Sequence, residues 1–383
     1  MIPLMPPAWL GVVGGGQLGR MFALDARRMG YKVVALSPTA DGPAAQVADE
    51  VVVGPPGDLR ALREFASKVD AATVEFENVS AAGLRWLARR VPVRPGWKTV
   101  WTAQNRLREK VFLSRCGHRL APWRPVRDEG ELAAAVDELG TPLILKTAAS
   151  GYDGRGQARV EEPGAAAPAW ATLGRVACVA EAVVAFAAEV SVVVARGVDG
   201  AAVAYPLILN RHANHVLDCS ACPAPIGPIV AQEAREMALD VADRLDTVGV
   251  LAVEFFLTAE GILSINELAP RPHNSAHLTI EAASTGQFEQ QVRALCGLPL
   301  GVADLVAPAA AMVNLLGDLW VGGEPGWASM LSAVPEARLH LYGKRTPAPG
   351  RKMGHLTVLG TDPDAALDRA RAARRAMLEG RSY

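Results

Sequence analysis

The chain is short of the features that define several broad classes. Five cysteines in 383 residues are few and odd in number, which argues against a disulfide framework and predicts free thiols in a reducing cytoplasm. A net charge of −1 offers nucleic acid no bulk electrostatic hold, so any anion site is expected to be local. No apolar run is long enough to span a bilayer: residues 182–195 are cut by Glu189, and 305–317 carry Pro308 and Asn314. The N-terminus has no basic segment ahead of its apolar residues, so no signal peptide is expected. The phosphate-loop patterns GxxxxGKS and GxxxxGKT do not occur, there is no internal repeat, and low complexity is confined to the Ala-rich 163–171 stretch. What is left is a globular composition, 50% hydrophobic and 21% charged, with the length for two or three domains.

The first hundred residues read as a doubly wound α/β unit. A strand over 9–13, a glycine-rich turn over 14–19, a helix over 17–29 and a strand over 31–36 form its opening. Gly14, Gly16 and Gly19 satisfy GxGxxG, which lets a phosphate approach amides at a helix N-terminus. A dinucleotide site also needs an acidic residue closing the second strand, and Ser37 and Pro38 stand there. NAD is therefore not expected, whereas a phosphate or substrate contact is. A strand over 72–76 ends in Glu75, Phe76, Glu77 and Asn78. That polar cluster is either a ligand contact at a strand's carboxyl end or a helix cap.

Further on, a helix from Gln104 carries Arg106, Arg108 and Lys110, and an amphipathic helix covers 129–139. Lys146 ends a short strand and is followed by the loop GYDGRGQ at 151–157, a flexible backbone suited to folding over anionic oxygens. Strands over 176–184 and 189–195 place Glu181 and Glu189 at the ends of a hinge. These acids either read a nucleotide or are simply exposed.

The most informative stretch is a hairpin with strands over 250–257 and 262–268. Glu254 and Glu267 interrupt otherwise apolar strands, where an unpaired charge is costly to bury. They are either solvated outward-facing residues or partners close enough to share a divalent cation, with Asn266 as a further oxygen. Pro270 and Pro272 stiffen a loop presenting Arg271, His273 and Asn274. Two zinc readings are weak: Cys219 and Cys222 lack a second pair, and His273 and His277 lack an intervening Glu and a third soft ligand. A helix is expected over 279–295. A third part follows, with strands over 311–315, 339–342 and 353–358. Lys344, Arg351 and Lys352 in its turns are either a sugar-phosphate grip or a solvated basic cluster.

Taken in order, Lys146, the loop GYDGRGQ, Glu181 with Glu189, and Glu254 with Glu267 in INELAPRPHNSAH resemble the ATP-grasp superfamily. GGGQLGRM, EFENV at 75–79 and GRKMGH at 350–355 narrow the resemblance to the 5-(carboxyamino)imidazole ribonucleotide synthetases of purine biosynthesis, over about Val12 to His355. The resemblance implies α/β and α+β architecture. A Rossmann-like domain would span 1–103, an ATP-grasp domain of two α+β halves 104–298 with a lid at 151–157, and a small β-rich domain 299–383.

It further implies that Arg106 and Lys146 hold the ATP phosphates under a lid of Gly151, Tyr152, Asp153, Gly154, Arg155, Gly156 and Gln157. Glu181, Ala182, Val183 and Val184 would meet adenine, Glu189 the ribose, and His212 would lie near the nucleotide. Glu254 and Glu267 would hold Mg²⁺ or Mn²⁺, with Asn266 beside them. Arg271, His273 and Asn274 would present bicarbonate. Gln17, Leu18, Glu75, Tyr152, Asp153, Arg155, Lys344 and Arg351 would embrace 5-aminoimidazole ribonucleotide, with Asp153 orienting or deprotonating its amine. The implied partners are small molecules, with no nucleic acid and no membrane, and the implied assembly is a homodimer. The alternatives are a sister ligase that formylates glycinamide ribonucleotide with formate, and a non-enzymatic nucleotide-binding module.

Overall fold

The structure is a computed structural model, and it describes residues 2–149, 151 and 154–381. Tyr152 and Asp153, two expected site residues, lie outside the described residues.

The first part comprises β1 (Trp9–Val13), α1 (Gln17–Arg28), β2 (Lys32–Ser37), β3 (Glu50–Val53), α2 (Leu59–Ala66), β4 (Ala71–Val74), α3 (Ala81–Leu87) and α4 (Trp97–Ala103). Its strands are near-continuous apolar runs, as a parallel sheet covered on both faces requires. The order is β3-β2-β1-β4, all parallel. Leu62, Phe65 and Leu84 cover one face, and Phe22 of α1 lies on the other.

The second part is α5 (Arg106–Cys116), β5 (Trp123–Val126), α6 (Glu129–Leu139), β6 (Leu143–Thr147), β7 (Gln157–Val160), α7 (Ala166–Thr172) and β8 (Cys178–Ala182). Asp128 caps α6 by accepting from the Glu131 N–H at 2.8 Å, and Gly140 ends it at φ 71°, so the amphipathic helix falls where it is expected. The four strands form an antiparallel sheet, order β5-β8-β6-β7. The strand expected over 176–184 is shorter, and 183–187 run on without regular structure.

The remainder is β9 (Ala188–Arg196), β10 (Ala202–Ala204), β11 (Ile208–Ala213), β12 (Val216–Cys222), α8 (Pro228–Arg244), β13 (Gly249–Leu257), β14 (Leu263–Ala269), α9 (Thr279–Ala282), α10 (Gln287–Cys296), β15 (Ala309–Leu316), α11 (Trp327–Ala333), β16 (Arg338–Leu341), β17 (Lys352–Gly360) and α12 (Pro363–Glu379). The single helix expected over 279–295 is two. Ala283 is extended and bridges Leu305, while the Thr279 hydroxyl accepts from the Gln287 N–H at 3.1 Å and restarts the helix. α10 then covers the parallel sheet with Phe288, Val292 and Leu295. Gln291 fastens both sheets, donating to Thr73 and accepting from the Val250 N–H, each at 2.7 Å.

The C-terminal strands do not make a sheet of their own. β15 pairs with β12, and the nine-stranded sheet runs β14-β13-β9-β11-β12-β15-β17-β16 with β10 beside β9. Among the described residues no helix is long and apolar enough to cross a membrane.

Candidate active site

A cleft of about 890 Å³ opens where the carboxyl end of the parallel sheet, the small antiparallel sheet and the large sheet converge. Each contributes charge: Glu75 and Glu77 from the first, Lys146 from the second, Glu254 and Glu267 from the third. Helix α5 supplies Arg106 and Glu109 to the lining. The buried residues of this helix are Glu109, Lys110 and Leu113, an inward face that is mostly polar. Arg106, Glu109 and Lys110 share it through the i, i+3, i+4 spacing.

Lys146 and Lys110 converge on the buried Glu181 carboxylate at 2.6 and 3.0 Å. Burial alone would raise the Glu181 carboxyl, but the two ammonium groups outweigh it and hold it at about 2. The Glu181 side chain is engaged with two lysines, and 181–184 do not line the cleft, whereas Phe186 to Glu189 do. Glu189 pairs with His212. Burial works against the His212 imidazolium, yet the Glu189 carboxylate beside it raises its pKa overall.

Glu254 and Glu267 face each other directly across β13 and β14, next to a bulge between Glu254 and Phe255. Arg106 takes Glu267 at 2.7 Å and His273 takes Glu254 at 2.9 Å, so each carboxylate has its own cationic or donor partner. Burial would raise the Glu267 carboxyl, but Arg106 draws it down to about 2. Asn266 Oδ1 is buried with no hydrogen-bond partner. Two carboxylates and an orphaned amide oxygen suit a hard divalent cation whose other ligands come from phosphates and water. Among the described residues no cluster of three or more His, Cys, Asp or Glu side chains could hold a metal alone. The zinc readings fail. Cys219 and Cys222, three apart on β12, pack into cores on opposite faces. His277 is buried against Gln287, while His273 turns to Glu254.

The glycine-rich turn, where a phosphate or substrate contact is expected, has a partner from within the chain. The Glu75 carboxylate fills it, accepting from Gly16 N–H at 2.5 Å and Gly19 N–H at 2.8 Å. A Cβ at Gly14 would collide with the Glu75 side chain. Burial raises the Glu75 carboxyl, and these two amides only partly offset it. An internal carboxylate thus occupies the helix N-terminus that suits an external anion.

Beside the turn, Gln17 accepts from Lys344 at 2.5 Å, and Leu18 lines the cleft. Of the expected basic pair, Arg351 is exposed and donates to the Thr346 carbonyl at 2.6 Å, while its neighbour Lys352 lines the cleft. In the lid, Gly151, Gly154 and Gln157 face the cleft; Arg155 is exposed and, like Gly156, is not in the lining. Arg271 and Asn274 line it too, Arg271 held by Glu77 at 2.6 Å and Asn274 in a reciprocal amide pair with Asn314 at 2.8 and 3.1 Å.

Glu77, Glu109 and Lys110 are partners that sequence reasoning leaves unassigned, although the R-x-x-E-K spacing on α5 carried the signal. Burial pushes the Glu109 carboxyl up to about 8, partly opposed by Arg106, while it accepts from the Leu268 N–H at 2.7 Å. The ordinary value is 4.5, so the folded state holds an extra proton between there and about pH 8. Stability from this group falls as pH rises through that window. Glu109→Gln keeps an acceptor but cannot ionise, and is expected to flatten that fall. Urea midpoints at pH 5 and 8.5 check it, and an unchanged pH dependence would refute the assignment.

A lysine-bearing small sheet facing a carboxylate-bearing large sheet across a cleft defines an ATP-grasp protein. Residues 111–288 match the ATP-grasp domain, 8–104 the ribonucleotide synthetase preATP-grasp domain, and 310–369 the phosphoribosylaminoimidazole carboxylase C-terminal domain. The chain is 42% identical over 363 residues to N5-carboxyaminoimidazole ribonucleotide synthase of Bacillus subtilis (strain 168), covering 94% of each. It superposes on a crystal structure of an N5-carboxyaminoimidazole ribonucleotide synthetase in complex with ADP at a TM-score of 0.93, with 39% identity and 99% of each chain covered. The Aspergillus clavatus synthase in complex with ADP and 5-aminoimidazole ribonucleotide gives 0.87 at 30% identity, over 97% of this chain and 98% of that one. The chain belongs to the N5-carboxyaminoimidazole ribonucleotide synthase family.

Proposed function

We propose that this chain is an ATP-dependent carbon–nitrogen ligase that carboxylates the exocyclic amine of 5-aminoimidazole ribonucleotide with bicarbonate, releasing ADP and phosphate. The observation that carries this is the placement of Lys146 and Arg106 opposite the Glu254–Glu267 pair, with the Arg271–Asn274 loop at the same cleft. Bicarbonate is a poor electrophile. Attack of its oxygen on the γ-phosphorus of ATP breaks the bond to ADP and gives carboxyphosphate, a mixed anhydride that the amine can accept carboxylate from.

Such transfer needs positioning and charge neutralisation more than covalent catalysis. Lys146 and Arg106 bind phosphate oxygens, the 151–157 loop covers them and excludes water, and 186–189 carry the adenosine side. Glu254, Glu267 and Asn266 would hold Mg²⁺ or Mn²⁺, which when bound neutralises phosphate charge. Arg271, His273 and Asn274 orient bicarbonate, and Gln17, Leu18, Glu75 and Lys344 orient the ribonucleotide. Arg155, with Tyr152 and Asp153 in the same loop, completes the reading from the amine side.

The domain limits we assign, 1–103, 104–298 and 299–383, are supported by the matched segments, and the assembly we assign is a homodimer, which sedimentation equilibrium tests. The relatives' names favour carboxylation over formate-dependent formylation. ADP release is expected to need Mg²⁺ and to rise with 5-aminoimidazole ribonucleotide and bicarbonate together. A rise with glycinamide ribonucleotide and formate instead would overturn the reading.

A further inference from the structure

Along the cleft wall, a file of buried side chains runs across the large sheet and ends on His273. Ser220 donates to Asn210 Oδ1 at 3.2 Å, which turns the Asn210 amide so that its Nδ2 donates to Ser191 Oγ at 3.0 Å. Ser191 stands beside Glu254 in the register of β9 and β13, and its Oγ lies 2.8 Å from Ser275 Oγ. Ser275 Oγ in turn lies 2.8 Å from His273 Nδ1. Asn210, Ser191 and Ser275 are all buried.

The direction of this file follows from donor counting. Ser191 already accepts from Asn210, so its proton goes to Ser275, and the Ser275 proton goes to His273 Nδ1. The reverse direction would give Nδ1 a proton facing Ser275 and leave the Ser191 hydroxyl proton without an acceptor in a buried site. It would also set that Nδ1 proton against the Ser275 backbone N–H, which points at the same nitrogen from 3.4 Å. With Nδ1 accepting, Nε2 carries the ring proton, and Nε2 lies 2.9 Å from a Glu254 oxygen, an acceptor. Gln287 fixes the backbone of the same residue, accepting from the His273 N–H at 2.7 Å and donating to its carbonyl at 2.8 Å. Only Nε2–H is left to face the cleft.

We propose that Ser275, Ser191 and Asn210 are positioning residues that lock His273 in its Nε2–H tautomer, making it a hydrogen-bond donor to bicarbonate oxygens and not a base. The donor role rests on the proposed carboxylation; the lock itself does not. A carboxylate oxygen of Glu254 lies within hydrogen-bond reach of Nε2, and bicarbonate presents an oxygen of the same kind. Second-layer partners that set an imidazole tautomer in this way govern which nitrogen is free to act.

The test is nitrogen-15 spectroscopy of the full chain labelled at histidine, with the His273 signals assigned by their loss in His273→Gln. The expected wild-type pattern is an unprotonated Nδ1 and a protonated Nε2. Ser275→Ala and Ser191→Ala are expected to mix the tautomers, and Ser275→Ala to raise the KM for bicarbonate about tenfold with the KM for ATP unchanged. A protonated Nδ1 in the wild-type protein, or an unmixed pattern in Ser275→Ala, would overturn the lock. A mixed pattern with an unchanged bicarbonate KM would overturn the donor role. The expected tautomer in a protein that does not consume bicarbonate would uphold the lock and count against the carboxylation reading alone.

Discussion

Glu267→Gln is expected to lower turnover by about 10²–10³-fold, the scale seen when one preorganised oxyanion-hole donor is removed from an acyl-transfer site. The substitution keeps the shape of the side chain and one oxygen, but removes the charge that faces Glu254 across β13 and β14 and that holds Arg106 at 2.7 Å. Arg106 would then lose the partner that orients it toward the cleft, so positioning and charge are lost together. Steady-state kinetics with ATP, bicarbonate and 5-aminoimidazole ribonucleotide measure the effect, and circular dichroism checks that the fold survives. Near-normal turnover in a folded variant would remove Glu267 from the proposed cation site.

The second large effect is on stability. Among the described residues, Glu181 is the one carboxylate that pairs with the buried ammonium groups of both Lys110 and Lys146. Glu181→Gln leaves both cations buried with a neutral neighbour, and breaking a buried pair from one side costs about 3–5 kcal/mol. The pH dependence follows from the same contacts. Against the cost of burial, the lysines depress the Glu181 carboxyl from 4.5 to about 2. Its contribution is therefore complete above about pH 4.5 and is lost as pH falls from there toward 2. The variant should lack that acid-side loss. Denaturant unfolding at pH 7 and pH 3.5 distinguishes the outcomes: a variant as stable as the wild type at pH 7 would mean that the lysines find other acceptors.

The parts of the fold that were legible are those with a strong local period. The glycine turn between two apolar strands marks the doubly wound opening, and Asp128 with Gly140 brackets α6 as a cap and a stop should. Glu254 and Glu267 were visible because a charge in an apolar strand demands a reason. What sequence does not carry is which buried charge meets which. Glu181 reads as one end of a hinge, and nothing in its own segment shows that Lys110 and Lys146 meet on it. GxGxxG reads as an anion cradle, and nothing in its own segment shows that Glu75, just past the end of β4, reaches into it. The break at 283–286 is set by Ala283 pairing with Leu305, a tertiary contact that overrides helix propensity. Glu77 looks like a capping residue in its own segment, and only the approach of Arg271 from far along the chain gives it a second role.

The pairing of β12 with β15 has a consequence for how the protein is made. The strands nearest the C-terminus complete a sheet that the middle of the chain has begun. During synthesis β12 is therefore an open edge, with unpaired N–H and C=O groups and an uncovered apolar face at Cys219 and Ala221 until β15 and α12 arrive. Such an edge is a template for pairing with strands of other nascent chains. A chain interrupted after residue 298 would keep that edge permanently, so truncation should produce aggregation and not a smaller soluble enzyme.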